Sequence, residues 1–396
     1  MLKLFVLLIQ ELKLQNFLNF KELLRNKTMP TLMRYNKMLK QLLLPKWTIL
    51  FPVLSWLAYF STGFITADPF KLVLAALLIS SVLAAVHHAE VIAHRVGEPF
   101  GTLILALAIT VIEVALIVSL MISGGPETKE LARDTVFAAV MIIITGIVGL
   151  CLLTGGIKFK EQIFQLKGVS ATLITLTAII VLTLILPNYT TSKSGGEYTS
   201  SQLIFVSIVS LVLYGSFIMI QAVRHRDYFL PKESTTEEDH ADPPNNLTTT
   251  VSVILLFISL GIVVILAKAL SDDIENIVVG VGAPKSLVGV IIAAVVLLPE
   301  GLAAYRAVKN NRLQTSLNLA LGSALASIGL SIPAVAVVSI VTGMDLVLGI
   351  DTKSTVLLLL SMITVLFTLS GGKTNILQGI VLLTIFASYL FYTIIP

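Results

Sequence analysis

The chain has 396 residues, 56% of them hydrophobic and 13% charged, with a formal net charge of +4. Soluble proteins carry about 25% charged residues, and a mean hydropathy of +0.94 leaves too little polar surface to wrap a water-soluble body. Soluble multidomain, disordered, collagen-like and disulfide-scaffold classes are excluded, and the single Cys151 permits no internal disulfide.

In chain order, residues 1–46 carry nine Lys and Arg and read as a basic amphipathic segment lying on a surface. Met1–Gln10 is too short to span a membrane and lacks a cleavage site of small residues. A bilayer core takes about 20 apolar residues as helix. Eleven runs fit: Trp47–Phe64, Phe70–Ala93, Thr102–Met121, Thr135–Leu153, Gly168–Leu186, Gln202–Val223, Thr248–Leu270, Ser286–Tyr305, Thr315–Thr342, Ser354–Leu369 and Thr374–Ile395. They are long and continuous, without period-two alternation, so strands are not expected. With the N-terminus inside, Lys and Arg divide twenty inside to seven outside, which places the C-terminus outside. This distribution argues for membrane topology rather than nucleic-acid binding.

The polar stretch Arg224–Asn246 holds six acids and ends its acidic run in Pro243-Pro244. It divides the chain into residues 47–67 (an extra first helix), 68–223 (five spans), the acidic loop 224–246, and 247–396 (five spans). Five is odd, so a duplicated five-span unit would sit inverted. The expected fold is an all-α integral membrane protein of about eleven transmembrane helices, one extra helix plus two inverted five-helix repeats. Inverted repeats of this kind place a substrate site near the midplane.

Three carboxylates lie within the apolar runs: Glu90, Glu113 and Glu300. An acid at mid-helix costs about 3 kcal/mol on insertion scales, so its retention points to use. Glu113 and Glu300 each sit on the second helix of their unit, in equivalent places. Ser316, Ser323 and Ser327 share a stripe on the following helix, with Asn318 and Gly322 on a neighbouring stripe; small residues there also suit close helix packing. The offset from Glu300 to Ser323 leads from Glu113 to Val136, so the second unit is the more polar. Pro299 frees a backbone carbonyl beside Glu300. Two carboxylates with carbonyl and hydroxyl oxygens suit Ca2+, and no Cys/His cluster in these helices favours a soft metal. One divalent cation or two protons would neutralise the pair, as would Na+ with one protonated Glu. Mutually exclusive occupancy of this kind is the basis of exchange. Thr110, Asn318 and Ser323 are the next ligand candidates.

His87, Glu90 and His94 share one face of the second run, with the spacing of an ion-access or proton-relay cluster or of a solvated helix end. Glu98 stands at the start of the third run, where it suits helix capping or ion access.

The stretch His87-His88-Ala-Glu90-Val-Ile-Ala-His94-Arg95-Val-Gly97-Glu98-Pro99-Phe-Gly101-Thr102, running to Thr110-Val-Ile-Glu113, resembles the calcium/cation antiporter superfamily. Within it, the likeness is to ChaA-type bacterial calcium/proton exchangers. Arg133-Asp134-Thr135-Val-Phe137-Ala, Leu297-Leu-Pro299-Glu300-Gly301 and the run from Asn318 to Gly329 carry the same resemblance, which covers about residues 47–396. It implies inverted α-1 and α-2 repeats, an acidic cytosolic loop, and a secondary transporter rather than an enzyme. It also implies that Glu113 and Glu300 bind Ca2+ and protons alternately, with no cofactor. Partners would be inorganic cations, protons and the lipid of a bacterial cytoplasmic (inner) membrane. Many calcium/proton exchangers carry Gly-Asn before the acid; here those positions read Ile109-Thr110 and Val296-Leu297. Na+(K+)/H+ exchange is therefore the alternative on the same fold, ahead of a passive cation channel. An intramembrane enzyme would need a catalytic dyad at depth, which the sequence does not supply.

Overall fold

The computed structural model describes residues 44–64, 68–97, 100–230, 244–280, 282–284 and 286–395. Most of the basic N-terminal segment, Glu98 and the acidic stretch 231–243 lie outside the described residues. The helices are α1 Lys46–Ser61, α2 Asp68–Val96, α3 Phe100–Gly124, α4 Leu131–Phe159, α5 Leu166–Tyr189, α6 Ser200–Arg224, α7 Asn246–Gly280, α8 Ser286–Lys309, α9 Leu313–Thr342, α10 Thr352–Leu369 and α11 Ile376–Ile394. Among the described residues ten, α2 to α11, are long and apolar enough to cross a membrane. The eleventh, α1, has 16 residues. It rises about 24 Å at 1.5 Å per residue, short of a hydrocarbon core of about 30 Å.

Burial in α1 runs opposite to that of a soluble helix. Thr48, Pro52 and Ser55 are buried, and Leu50, Leu54, Leu57 and Phe60 are exposed. The small polar face packs on α2, with Ser55 Oγ 2.8 Å from Ser81 Oγ, while the large apolar face is left for hydrocarbon. The chain is an integral membrane protein.

One expectation needs correction. The seventh run does not stop at Leu270. With no Gly or Pro between Leu270 and Gly280, α7 continues to Gly280 and carries Asp273 and Glu275, and Asp273 Oδ1 accepts from Lys71 Nζ at 2.7 Å. The apolar runs are helical, and two short strands, β1 Glu161–Ile163 and β2 Lys373–Asn375, pair antiparallel. They lie in connections between helices, where backbone groups freed from a helix must find partners.

The pairing of elements across the two halves is the main feature of the fold. α2 packs on α7. The α3–α9 contact is matched by α4–α8, and α6–α9 is matched by α4–α11. At one end β1, between α4 and α5, pairs with β2, between α10 and α11. At the other end the α5–α6 connection bridges the α9–α10 connection through Glu197 and Val347. Exchanging the halves also exchanges the ends, as an inverted repeat requires. The first end carries Lys158, whose Nζ donates to Lys309 O at 2.7 Å, and Arg95, whose Nη2 donates to Asn246 Oδ1 at 2.5 Å. It is the basic end. The third helices of the two halves, α4 and α9, are the most buried. A π-helical segment, Ile142–Ile147, interrupts α4.

Close approach of α4 to α11 depends on glycine. A Cβ at Gly379 would strike the backbone of Leu153 and Gly149, whereas one at Gly215 in α6 meets nothing within 4 Å. Gly379→Val is expected to destabilise the protein by about 1–3 kcal/mol through overpacking, and Gly215→Ala to leave its stability unchanged. Thermal melts of the detergent-solubilised protein distinguish the two.

Candidate functional site

Glu113 stands near the centre of α3, and Glu300 somewhat beyond the centre of α8, directly after Pro299. They are 3% and 8% exposed. Pro299 has no N–H to donate to Val295 O, so the backbone beside Glu300 keeps an acceptor free of its usual helical partner.

A single turn of α9 serves both acids. Ser327 Oγ donates to Glu113 Oε1 at 2.6 Å, and Ser323 Oγ donates to Glu300 Oε1 at 3.4 Å. Residues four apart rise about 6 Å along a helix, so the two carboxylates meet α9 about one turn apart. Glu300 Oε2 is buried without a hydrogen-bond partner among the described residues. Ser316 and Ser331 continue the buried stripe on either side. The sequence placed Ser327 on this stripe without marking it as a ligand; its spacing of four from Ser323 was the signal.

The other expected residues separate into three places. Thr110 is buried one turn before Glu113, and its hydroxyl donates to its own helix at Ala106 O, 2.9 Å away. Asn318 is turned away from the carboxylates. Its Nδ2 donates to Phe229 O at 2.6 Å and its Oδ1 accepts from Gln314 Nε2 at 2.8 Å, so its amide is used at the basic end. Five residues before Ser323, it points roughly 140° around the helix from it. His87 Nδ1 lies 3.8 Å from Glu90 Oε2 at the same end, and His94 is exposed on the last turn of α2. The neighbouring His88 is fully buried, its Nε2 3.2 Å from Thr48 O.

Among the described residues no three His, Cys, Asp or Glu side chains cluster as metal ligands. The groups that meet at depth are two carboxylates and two serine hydroxyls, all hard oxygens. A cavity of about 750 Å3 opens at the end opposite the basic one. It is bounded by Leu120, Phe137, Val290 and Tyr389 and by charged residues from α4, α7 and α10. Neither Glu113 nor Glu300 lines it.

Ten membrane-length helices among the described residues, two halves packed in inversion and one acid from each half at a shared helix define an inverted-repeat transporter fold. The sequence model of the sodium/calcium exchanger protein family matches residues 70–223 and 251–395, and the chain belongs to that family. The y4hA protein of Sinorhizobium fredii (strain NBRC 101917 / NGR234) is 46% identical over 324 residues, 81% of this chain and 88% of that one. The sodium-potassium/proton antiporter ChaA of Escherichia coli (strain K12) is 33% identical over 350 residues, covering 87% and 94%. The fold is shared with the crystal structure of an H+/Ca2+ exchanger, CAX, at a TM-score of 0.66 and 18% identity, covering 87% of each chain.

The two hydroxyl contacts differ in length, and their removal should differ in effect. Ser327→Ala is expected to cost about 1–2 kcal/mol, and Ser323→Ala distinctly less. Equal losses in unfolding of the solubilised protein would contradict the geometry.

Proposed function

We propose that the chain is a secondary active cation/proton antiporter that exchanges Ca2+ for H+ by alternating access, with Glu113 and Glu300 as the exchanging carboxylates. The observation that carries this reading is the arrival of one acid from each half at the same turn of α9. Two ionised carboxylates buried together repel each other and lack water, so the pair is stable only when its charge is cancelled. One divalent cation cancels it, and so do two protons. Neither full complement leaves charge for the other, so each crossing carries one species or the other. Ser323 and Ser327 supply oxygen to the bound cation and hold the carboxylates in place; Thr110 and the Val295 carbonyl lie within a turn of the acids and would complete a shell of hard oxygens.

Na+(K+)/H+ exchange is the second reading. It is favoured by Ile109-Thr110 and Val296-Leu297, which place no amide oxygen one turn before either acid. The ChaA relative is named for sodium and potassium. A monovalent cation with one protonated Glu needs fewer ligands.

In this reading, residues 68–223 and 247–396 are the inverted repeats, α1 is the extra helix, and 224–246 is a cytosolic linker. The same reading, supported by the excess of Lys and Arg, has the basic end and the N-terminus on the cytoplasmic side of a bacterial inner membrane and the large cavity outside. His87 and Glu90 then face the cytoplasm as an access group for ions or protons.

Purified protein in liposomes carrying a pH-sensitive dye provides the test. An imposed proton gradient should drive Ca2+ uptake, and added Ca2+ should release protons; Na+ and K+ supplied separately rank the cations. Glu113→Gln and Glu300→Gln should each reduce both fluxes to background while remaining monodisperse. Full exchange by either variant rejects the assigned site, and cation flux without counter-moving protons rejects exchange.

A further inference from the structure

The large cavity has a charged wall that the exchange reaction does not account for. Its lining includes four acids, Glu130, Asp134, Glu275 and Asp351, against three basic residues, Arg133, Lys268 and Lys353. Arg133 is the most committed of these. Its Nε donates to Asp134 Oδ1 at 2.8 Å, its Nη2 to Glu130 Oε2 at 3.0 Å, and its Nη1 to the Gly349 carbonyl at 3.2 Å. Arg133 and Asp134 side chains are 14% and 17% exposed, so the pair forms part of the cavity wall rather than its rim. Asp134 also sits tightly beside the helix that carries Glu300: a Cβ at Gly289 of α8 would stand 3.1 Å from the Asp134 carbonyl carbon.

Among the described residues the pair stands at one end of the molecule. Counted from the first residue of each third helix, Leu131 of α4 and Leu313 of α9, Arg133 and Asp134 fall on Thr315 and Ser316, which carry no charge. A scaffold that repeats its helices and its acids therefore does not repeat this ion pair.

We propose that Arg133 is a resident cation of the vestibule, and that its pairing with Asp134 sets the affinity for transported cations on that face of the membrane alone. This rests on the antiporter reading and deepens it. With Arg133 in place, the wall keeps a small negative excess, enough to attract cations without holding them. Without Arg133, the Asp134 carboxylate is released to the cavity and concentrates cations there. Without Asp134, the guanidinium charge is left in the path and repels them. Neither residue touches the exchanging carboxylates in the structure, so both act on access and not on the exchange step.

The experiment measures cation-dependent proton flux in liposomes, with cation supplied to each face in turn, for Arg133→Gln, Asp134→Asn and the double variant. Arg133→Gln should lower KM on one face by about threefold for a monovalent cation and by about tenfold for Ca2+, because Coulomb energy scales with cation charge. Asp134→Asn should raise it on the same face by similar factors, the double variant should return within about twofold of the parent, and all shifts should shrink in high salt. Arg133→Lys, which keeps the charge, should behave as the parent. If Arg133→Gln fails to fold, the one-sided rise in Asp134→Asn decides. Equal shifts on both faces, a change in kcat at constant KM, or no rescue in the double variant overturns the proposal. If the parent exchanges and loses exchange in Glu113→Gln but KM is unmoved by Arg133→Gln, this inference alone fails. If the parent itself shows no exchange, the antiporter reading fails with it.

Discussion

The structure depends on two negative charges held where water cannot reach them. Glu113 and Glu300 are flanked on their helices mostly by Leu, Ile, Val and Ala, and almost no solvent touches either. A buried carboxylate in hydrocarbon must be paired, hydrogen-bonded or protonated. The protein supplies one hydroxyl for each acid and no resident basic partner among the contacts of the described residues, so the remaining charge is left for a mobile cation. Had a Lys or Arg stood beside the pair, the charge would have been cancelled permanently and the site would have no reason to exchange anything.

The scaffold around this pair is symmetric, while its lining is not. Helix contacts repeat across the halves, and each end is joined by a strand-like bridge between connections from opposite halves. The third helices, however, differ in chemistry. In α9 the stripe facing the acids is serine, whereas α4 comes beside Glu300 near Ile147, which faces Gly301, and its one hydroxyl in that stretch, Thr145, is buried and turned to Met141 O of its own helix. The two carboxylates are therefore equivalent in position and unequal in environment. The charged pair of α4, Arg133 and Asp134, stands toward the cavity, while its buried Thr135 and Thr145 bond to their own helix, so charge in the first half is spent on one mouth of the path and hydroxyls in the second half on its centre.

Much of this was legible in the residues. Hydrophobic runs gave all ten full-length helices, because in a bilayer length and apolarity are nearly sufficient conditions for a span. The two acids stood out for the same reason, since nothing but use offsets their cost. Helix ends were less legible. Asp272 and Asp273 suggest that α7 should stop near Leu270, but a helix leaving the membrane tolerates acids in water and ends only where Gly280 and Gly282 allow the chain to turn. The short strands and Asn318 show a different limit. Amphipathic spacing tells which residues share a face but not which neighbour that face meets, and Asn318 meets the Phe229 carbonyl at the basic end. Ser327 was visible as spacing and not as a role, because the acid it binds lies on a helix more than two hundred residues earlier.

Placing Ser323 and Ser327 on one rod has a mechanical consequence. A rigid helix cannot advance or turn one of its residues without the other, so α9 holds both acids in common register like two teeth on a single shaft. A small rotation of that shaft would lengthen both hydroxyl contacts in the same stroke. Communication between the two acids thus needs no relay of intermediate side chains: it is built into the stiffness of one helical turn.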